Sequence, residues 1–275
     1  MGIQQLIHSL HEQGKTDWAI LQVDFSNAFN SLIRVRLLNS VKERCAQALP
    51  WFATCYSKHT PLYCKEEVIW SKKGIQQGDP CGPAGFCWGV HDICEALEDK
   101  VEWQSWYLDD AHLVGTPEQL HMAFQVLGQM AEERGLAVNL GKCRLWGPAF
   151  SKGMPIAIPQ NSALRHTPVI PWGPKSGIQV LGIPVCFPTD NDFANSIWEK
   201  REAKVKQATN VLDCFPQSHI QCTILRYCLT ACKVNDLLRA CPITAAESVC
   251  ARISNHVWRS FEQIVGSPLS DLHKV

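Results

Sequence analysis

Apolar residues in the first half of the chain occur either in short runs or at helical spacing. Residues 19–23 form an apolar run interrupted only by Gln22, which predicts a buried strand. Residues 68–70 predict a further strand, and residues 103–115 predict a hairpin of two strands. Residues 86–97 carry apolar side chains at four-three-four spacing, which predicts a helix.

Three more helices are predicted around these strands. One lies around residues 6–10 and a longer one over residues 27–46. The apolar face of the longer helix is expected at Leu32, Val35, Leu38 and Val41. Thr116 and Pro117 are typical of a helix start, and Gly135 is typical of its end.

The order of these elements predicts the fold class. Strand, helix, helix, hairpin and helix indicate an antiparallel sheet backed on one face by helices, an α+β architecture. Residues 146–177 contain six prolines and no clear period, so we expect an irregular insertion there. Beyond residue 189 the pattern is helical, with a break at Pro216 and a further helix over residues 220–238.

Three acidic residues follow or join the predicted strands. Asp109 and Asp110 are adjacent at the tip of the predicted hairpin, and Asp24 ends the first strand. An Asp-Asp pair is also typical of a simple turn or helix cap. Three carboxylates on two strands, however, would repel one another without a cation. They would suit two magnesium ions, the arrangement used in polymerases and nucleases.

A loop rich in glycine and proline lies between the acidic segments. Residues 74–83 read Gly-Ile-Gln-Gln-Gly-Asp-Pro-Cys-Gly-Pro. The loop can be read as a turn before a helix, or as a place where the backbone approaches a nucleotide or template closely. In the second reading Gln77 would donate or accept a hydrogen bond at a base or sugar edge.

Five segments in order resemble the motifs of reverse transcriptases. Residues 24–30 (Asp-Phe-Ser-Asn-Ala-Phe-Asn), 76–83 and 107–110 (Tyr-Leu-Asp-Asp) are similar to motifs A, B and C. Residues 135–143 are similar to motif D, and residues 180–184 to the motif E primer grip. The Asn-Ala-Phe-Asn of the first motif and the doubled glutamine of the second resemble the non-LTR, LINE-like branch of retrotransposons.

The resemblance implies catalytic roles for four residues. Asp24 and Asp109 would ligate both metal ions, and Asp110 would assist them. Lys142 would be the motif D lysine that protonates the departing pyrophosphate, a task for which an unperturbed lysine starts in the protonated form. A solvated surface lysine is the alternative for Lys142.

The resemblance also implies binding positions. The nucleotide and template pocket would be lined by Phe25, Phe29, Gln77 and Gly78. Phe29 falls where the family places a steric gate against the ribose 2′-hydroxyl, although an aromatic residue after a strand is also typical of core packing. Leu181 and Gly182 would belong to the primer grip.

The family's right-hand polymerase shape gives the expected domain organisation. Residues 1–23 would be a remnant of the fingers, 24–145 the palm, 146–177 the insertion, 178–188 a primer-grip hairpin and 189–275 a helical thumb. The implied cofactor is two Mg²⁺ ions, with Mn²⁺ as a substitute. The implied partners are an RNA template, a DNA primer and dNTPs, and the chain would be part of a larger retroelement protein.

Composition supports a globular protein but gives no basic excess. The 275 residues are 46% hydrophobic and 19% charged, and 26 Lys and Arg balance 26 Asp and Glu. A polymerase usually has a basic surface for phosphates, so the neutral balance is unexpected. Local basic density remains at Lys72-Lys73 and at residues 200–206, where it is either a nucleic-acid contact or a solvated helix face.

The sequence contains no pattern typical of a membrane span or a secretory signal. We therefore expect an intracellular protein, either nuclear or cytoplasmic. The fourteen cysteines are scattered without a C-x-x-C spacing and are expected to be reduced. A zinc site is conceivable at Cys214, His219, Cys222, Cys228 and Cys232.

Two alternatives to a polymerase stay open on the sequence. The first is a catalytically inactive, degenerate or domesticated nucleic-acid-binding relic, in which the acids persist without use. The second is a two-metal nuclease, which explains the carboxylates but not the glutamine-glycine loop.

Overall fold

A computed structural model describes residues 2–241 and 243–266, which form two compact units. Residues 14–172 make the first unit, called the sheet unit below. Residues 2–13 and 173–266 make the second, called the helical unit.

The described residues form both strands and helices, and helices alone follow the last strand. The strands are Ala19–Val23 (β1), Thr60–Cys64 (β2), Glu67–Ser71 (β3), Trp103–Tyr107 (β4), Asp110–Gly115 (β5), Arg144–Trp146 (β6), Val169–Ile170 (β7), Gly177–Val180 (β8) and Ile183–Cys186 (β9). The helices are Ile3–Glu12 (α1), Ala28–Ser31 (α2), Arg34–Arg44 (α3), Leu49–Tyr56 (α4), Gly82–Leu97 (α5), Pro117–Glu133 (α6), Asp192–Asn210 (α7), Ser218–Cys228 (α8), Asn235–Ala240 (α9) and Ile243–Val265 (α10).

The main sheet has the strand order β4-β5-β1-β6-β7. Its pairs are antiparallel except for β6 and β7, which run parallel at one edge. The strand predicted over residues 19–23 is β1, and the predicted hairpin is β4–β5. Together with the helices packed on it, this sheet confirms the predicted α+β class.

The core of the sheet unit lies between one face of the sheet and helices α3, α5 and α6. Alternation places Ala19, Leu21 and Val23 of β1 on the face that joins this core. The helices contribute fully buried residues to it, including Leu37, Phe86, Ile93, Leu120 and Leu127. The even-numbered positions of β1 therefore face away from these helices.

Local capping fixes the start of α6 where the sequence predicts it. The Thr116 hydroxyl accepts a hydrogen bond from the Gln119 amide at 3.3 Å, and the Gln119 side chain accepts one from the Thr116 amide at 2.8 Å. This reciprocal pair satisfies two backbone donors that the helix itself leaves free. Gly135 follows the helix with a φ of +75°, and a Cβ there would lie 2.8 Å from the Ser31 carbonyl oxygen.

The helix predicted over residues 27–46 is wrong in two respects. It is split into α2 and α3, because Ile33 donates its amide to the Arg134 carbonyl and Leu32 accepts from Gly74. These tertiary bonds replace the helical ones. The buried face of α3 consists of Arg34, Leu37 and Val41, whereas Val35 is 67% exposed.

Most of the segment predicted as an irregular insertion, residues 146–172, belongs to the sheet unit, whereas residues 173–177 belong to the helical unit and end at the first residue of β8. Val169 and Ile170 form β7 beside β6. The ring of Trp172 packs at 5.2 Å from that of Trp18 and at 4.7 Å from that of Trp146. Aromatic packing therefore ties this irregular backbone to the end of β1 and to β6.

The helical unit is built around α7 and α10. Ile197, Trp198 and Val205 of α7 share a buried cluster with Val249 and Ile253 of α10. The helix predicted over residues 220–238 is interrupted: α8 ends at Cys228, and α9 begins at Asn235 after a 3₁₀ turn. In α1, the Gln4 side-chain amide both donates to and accepts from the backbone of Cys186 in β9.

Within the described ranges, no helix is both long enough and apolar enough to cross a bilayer. The fourteen cysteines, all of which lie in those ranges, are unpaired.

We predict opposite effects for two glycine-to-alanine changes in neighbouring helices. A Cβ on Gly85 of α5 would overlap the ring of Phe52, so Gly85→Ala should lower the free energy of unfolding by about 1–3 kcal/mol. Gly128 of α6 has open space at its Cβ position, so Gly128→Ala should raise it by about 0.5–1 kcal/mol. Urea denaturation measures both, and equal effects would contradict the packing described for α5.

Candidate active site

The register of the sheet brings Asp24 and Asp110 to neighbouring positions. Val23 at the end of β1 pairs with Ala111 of β5. Asp24 follows Val23 and Asp110 precedes Ala111, so the two acids occupy the next pair of positions along the two strands. Alternation directs both side chains to the sheet face opposite α5 and α6.

Asp109 lies in the tight turn that joins β4 to β5. Tyr107 pairs with Asp110, which leaves Leu108 and Asp109 as a two-residue connection. Leu108 has a φ of +56°, a conformation that is strained for a leucine. Strain of this kind is found where a turn must hold a functional side chain in place.

The three carboxylates influence one another electrostatically. Burial raises the pKa of the Asp110 carboxyl, and the negative charges of Asp109 and Asp24 raise it further. The structure therefore places Asp109 and Asp24 close enough to Asp110 to act on its charge. Their mutual repulsion is the cost that a cation would relieve.

The segment that carries Asp24 also forms backbone hydrogen bonds with residues 137–139. The Asn139 amide donates to the Asp24 carbonyl at 2.8 Å, and the Ser26 amide donates to the Ala137 carbonyl at 2.8 Å. Between them, Phe25 forms a bridge with Val138. The motif A and motif D segments are thus paired like short strands at the point where Asp24 projects.

Lys142 lies beside Asp24. Its Nζ is 3.7 Å from Asp24 Oδ1, while the lysine side chain is 67% exposed. This distance makes an ion pair but is too long for a hydrogen bond, and Asp24 Oδ1 is buried without a hydrogen-bond partner. Lys142 is placed there by a turn in which its amide and that of Cys143 both donate to the Asn139 carbonyl.

The described residues contain no group of three or more His, Cys, Asp or Glu side chains arranged to hold a metal ion. The donor chemistry nevertheless fits magnesium, which prefers carboxylate oxygens. Asp24 Oδ1 is a buried oxygen that accepts no hydrogen bond, and Asp110 lies in the field of two further carboxylates. The zinc ligands considered from Cys214 to Cys232 likewise form no such group among the described residues.

The two phenylalanines of motif A are both in contact with the core. Phe25 is buried, and Phe29 is partly buried with its ring stacked on that of Phe86 at 4.5 Å. Phe29 therefore has a packing role, although its side chain is only partly buried.

Gln77 and Gly78 are exposed in the loop before α5. Gln77 lines a cavity of about 300 Å³, called the loop cavity below, whose lining residues are Asn30, Leu62, Ser71, Lys73, Ile75, Gln76 and Gln77. Gly78 has a φ of +94° and open space at its Cβ position. The loop cavity thus joins the motif A and motif B segments.

Arg34 organises the approach to this loop. The Arg34 guanidinium is buried and donates to the Gly74 carbonyl at 2.9 Å, to the Ser71 carbonyl at 2.8 Å and to the Ser71 hydroxyl at 2.7 Å. It also lies 5.3 Å from the centre of the Tyr56 ring. Burial lowers the pKa of the guanidinium, and these acceptors replace water around its charge.

Gly74 has no space for a side chain. Its φ is +76°, and a Cβ would lie 2.5 Å from the backbone of Asn30. The Gly74 amide donates to Leu32 at 2.8 Å, and the Ile75 amide donates to Phe29 at 2.7 Å. The start of the loop is therefore fastened directly to α2.

Tyr56 and Asp79 hold the other end of the loop. The Tyr56 hydroxyl donates to the Asp79 carboxylate, which also accepts from the Cys81 amide at 2.8 Å. Burial and the bond to Asp79 raise the pKa of Tyr56, so the hydroxyl stays protonated and can donate. The loop from Gly74 to Asp79 is thus anchored at both ends.

Sequence reasoning missed Arg34, Tyr56 and Asp79. The sequence did carry a signal for Arg34, because this residue lies on the same face of α3 as the apolar residues Leu37 and Val41. A charged residue on the buried face of a helix indicates a specific partner. No local pattern links Tyr56 to Asp79, because their contact depends on the packing of α4 beside the loop.

Leu181 and Gly182 lie in the helical unit, at the turn of the β8–β9 hairpin. Val180 pairs with Ile183, so the two residues form the whole connection. Both have positive φ, +52° for Leu181 and +83° for Gly182, and Leu181 is exposed.

We predict that Arg34→Lys loosens the loop while Arg36→Lys does not. Lysine cannot donate to three acceptors in the same planar arrangement, so the variant should lose about 2 kcal/mol or more of stability. Hydrogen exchange of the Gly74 and Ile75 amides should accelerate about tenfold or more. Arg36 is exposed two residues along the same helix and serves as the control. Unchanged exchange in Arg34→Lys would contradict the anchoring role.

The chain was compared with known proteins. A sequence profile described as reverse transcriptase (RNA-dependent DNA polymerase) matches residues 1–185. No curated protein sequence matches. Among solved structures, telomerase from Candida albicans in complex with the TWJ fragment of telomeric RNA is similar at 16% identity with a TM-score of 0.44. That alignment covers 95% of this chain and 46% of the telomerase chain, so this chain spans less than half of that protein's length. Because the profile matches more than half of its residues, the chain belongs to the reverse transcriptase (RNA-dependent DNA polymerase) family.

Proposed function

We propose that this chain carries the catalytic site of an RNA-directed DNA polymerase, a nucleotidyltransferase that extends a DNA primer with dNTPs on an RNA template. The observation that carries the proposal is the meeting of Asp24, Asp109, Asp110 and Lys142 at one end of the β1–β5 pair, in a chain of this family. We assign it to the non-LTR branch because of the Asn-Ala-Phe-Asn and Gln-Gln sequences, and we place it inside the cell.

In this proposal Asp24 and Asp109 hold two divalent cations, Mg²⁺ or Mn²⁺, and Asp110 assists. Ions held by these carboxylates would supply activation of the primer 3′-hydroxyl and stabilisation of charge on the phosphates. The carboxylates supply negative charge at a fixed position, because β1 and the β4–β5 turn are held by the sheet on one side and the motif D segment on the other.

Lys142 is proposed to act on the leaving group. The new bond joins the primer oxygen to the α-phosphate as pyrophosphate departs, and the Lys142 ammonium would donate a proton to that pyrophosphate. Its exposure and its position 3.7 Å from Asp24 support this role, because the ammonium is both available and close to the carboxylates.

The remaining family positions are assigned on the same basis. Phe25, Phe29, Gln77 and Gly78 are proposed to line the nucleotide and template pocket. Gln77 is supported by its place in the loop cavity beside Asn30 and Lys73. Leu181 and Gly182 are proposed as the primer grip. We propose that the sheet unit acts as a palm and the helices after residue 189 as a thumb.

We predict that Asp109→Asn and Asp24→Asn each abolish primer extension. Removing a metal ligand should cost several kcal/mol of transition-state stabilisation, a loss of about 100-fold or more in rate. The assay uses an RNA template, a DNA primer, dNTPs and magnesium, with chelation of the metal as a further arm. Asp17→Asn, at the opposite end of β1, is the matched control.

The outcomes of that assay separate the proposed functions. Extension by the parent chain that survives Asp109→Asn would overturn the catalytic assignment. Nucleic-acid binding without extension, in parent and variants alike, would favour the non-catalytic binder. Template cleavage that depends on Asp109 would favour a nuclease.

We predict that Phe29→Leu weakens discrimination against ribonucleotides. Leucine keeps an apolar contact with Phe86 but lacks the ring that would meet a 2′-hydroxyl, so the preference for dNTPs over rNTPs should fall about tenfold. Phe52→Leu, another aromatic residue of the same core, should lower stability and leave this preference unchanged. A preference that is equal in Phe29→Leu and the parent would restrict Phe29 to core packing.

A further inference from the structure

The β2–β3 hairpin of the sheet unit exposes two aromatic rings on one face. Tyr63 is 78% exposed and Trp70 is 52% exposed. The register pairs Tyr63 with Val68 and Pro61 with Trp70, so these four side chains share one face, called the aromatic face below. Neither ring belongs to the core cluster of the sheet unit. Exposed aromatic rings grouped in this way indicate a binding surface.

The opposite face of the same hairpin borders the loop cavity. Leu62 and Ser71 alternate with the residues of the aromatic face, and both line that cavity together with Lys73 and Gln77. One face of the hairpin therefore borders the loop cavity, and the other is the aromatic face.

Four lysines lie in the hairpin and directly beside it in the sequence. Residues 58–73 contain Lys58, Lys65, Lys72 and Lys73 against two glutamates, in a chain whose overall charge is zero. In the part of the chain that the structure describes, none of these four lysines forms an ion pair. The hairpin thus combines stacking surfaces with free cationic groups.

The hairpin is also held in a fixed position relative to the loop. Arg34 bonds to the backbone and hydroxyl of Ser71 at the end of β3 and to the carbonyl of Gly74. The same guanidinium therefore binds both the hairpin and the first residue of the loop. A ligand bound on the aromatic face would be positioned with respect to Gln77.

We propose that the aromatic face of the β2–β3 hairpin binds single-stranded RNA, with bases stacked on Tyr63 and Trp70 and phosphates near lysines of residues 58–73. This combination of aromatic rings and basic side chains is the chemistry that binds single strands without reading sequence. The inference rests on the proposed function for its choice of RNA, because the template of that reaction is an RNA strand.

The test is the affinity of the 275-residue chain for a fluorescently labelled single-stranded RNA of about 12 nucleotides, followed by anisotropy. The double variant Tyr63→Ala, Trp70→Ala should bind about 10- to 100-fold more weakly, and Trp70→Phe should bind nearly as well as the parent. Trp51→Ala is the matched control, because Trp51 is 55% exposed on α4, outside the hairpin. Urea denaturation of each variant checks that the fold is intact.

Several results would overturn the proposal. They are absence of RNA binding by the parent, equal affinity of the parent and the folded double variant, and an equal loss in Trp51→Ala. A preference of the aromatic face for single-stranded DNA over RNA would overturn the choice of RNA. Sedimentation that changes in the double variant while its RNA affinity does not would identify a protein interface instead.

Primer extension by the parent is measured separately and distinguishes the two proposals. RNA binding through the aromatic face without primer extension would leave this inference standing and refute the proposed function. Primer extension that needs Asp109, together with an RNA affinity that does not depend on Tyr63 and Trp70, would support the proposed function and refute this inference.

Discussion

Repulsion among like charges is the constraint on which the sheet unit depends. Asp24, Asp109 and Asp110 lie within one another's electric field, and burial makes the charge on Asp110 more costly still. The backbone withstands this repulsion because Asp24 follows a strand paired on both edges, while Asp109 lies in a two-residue turn. The central position of β1 is therefore as important to the site as the acids themselves.

A second buried charge organises the surroundings of the first. In the described part of the chain, Arg34 has no carboxylate among its hydrogen-bond partners, and carbonyl groups and a hydroxyl accept its hydrogen bonds. Such a guanidinium fixes backbone positions, because each bond requires a particular carbonyl direction. Arg34 thus determines where the β2–β3 hairpin and the loop cavity lie relative to α3. Arg34 therefore has a positioning role, whereas the acids at the strand ends have the proposed chemical one.

Local signals in the sequence predicted much of this fold. The strand at residues 19–23, the hairpin and the capped start of α6 depend on neighbouring residues, and each was found where expected. The split between α2 and α3 could not be predicted, because Gly74 and Arg134 supply the bonds that cause it from distant parts of the chain. The hydrogen bond between Tyr56 and Asp79 could not be predicted for the same reason. The three acids were singled out from the pattern of strands and carboxylates, whereas Lys142 was proposed from the family resemblance, because no periodicity predicts that residue 142 lies beside residue 24.

The ion pair between Lys142 and Asp24 has a thermodynamic consequence. A cation that took a place on Asp24 Oδ1 would share that carboxylate with the Lys142 ammonium, and two positive charges on one anion repel each other. Occupancy by the cation and release of the lysine are therefore linked equilibria, and each favours the other to the same degree. A cation bound at Asp24 would therefore weaken the contact that keeps the Lys142 ammonium beside this carboxylate.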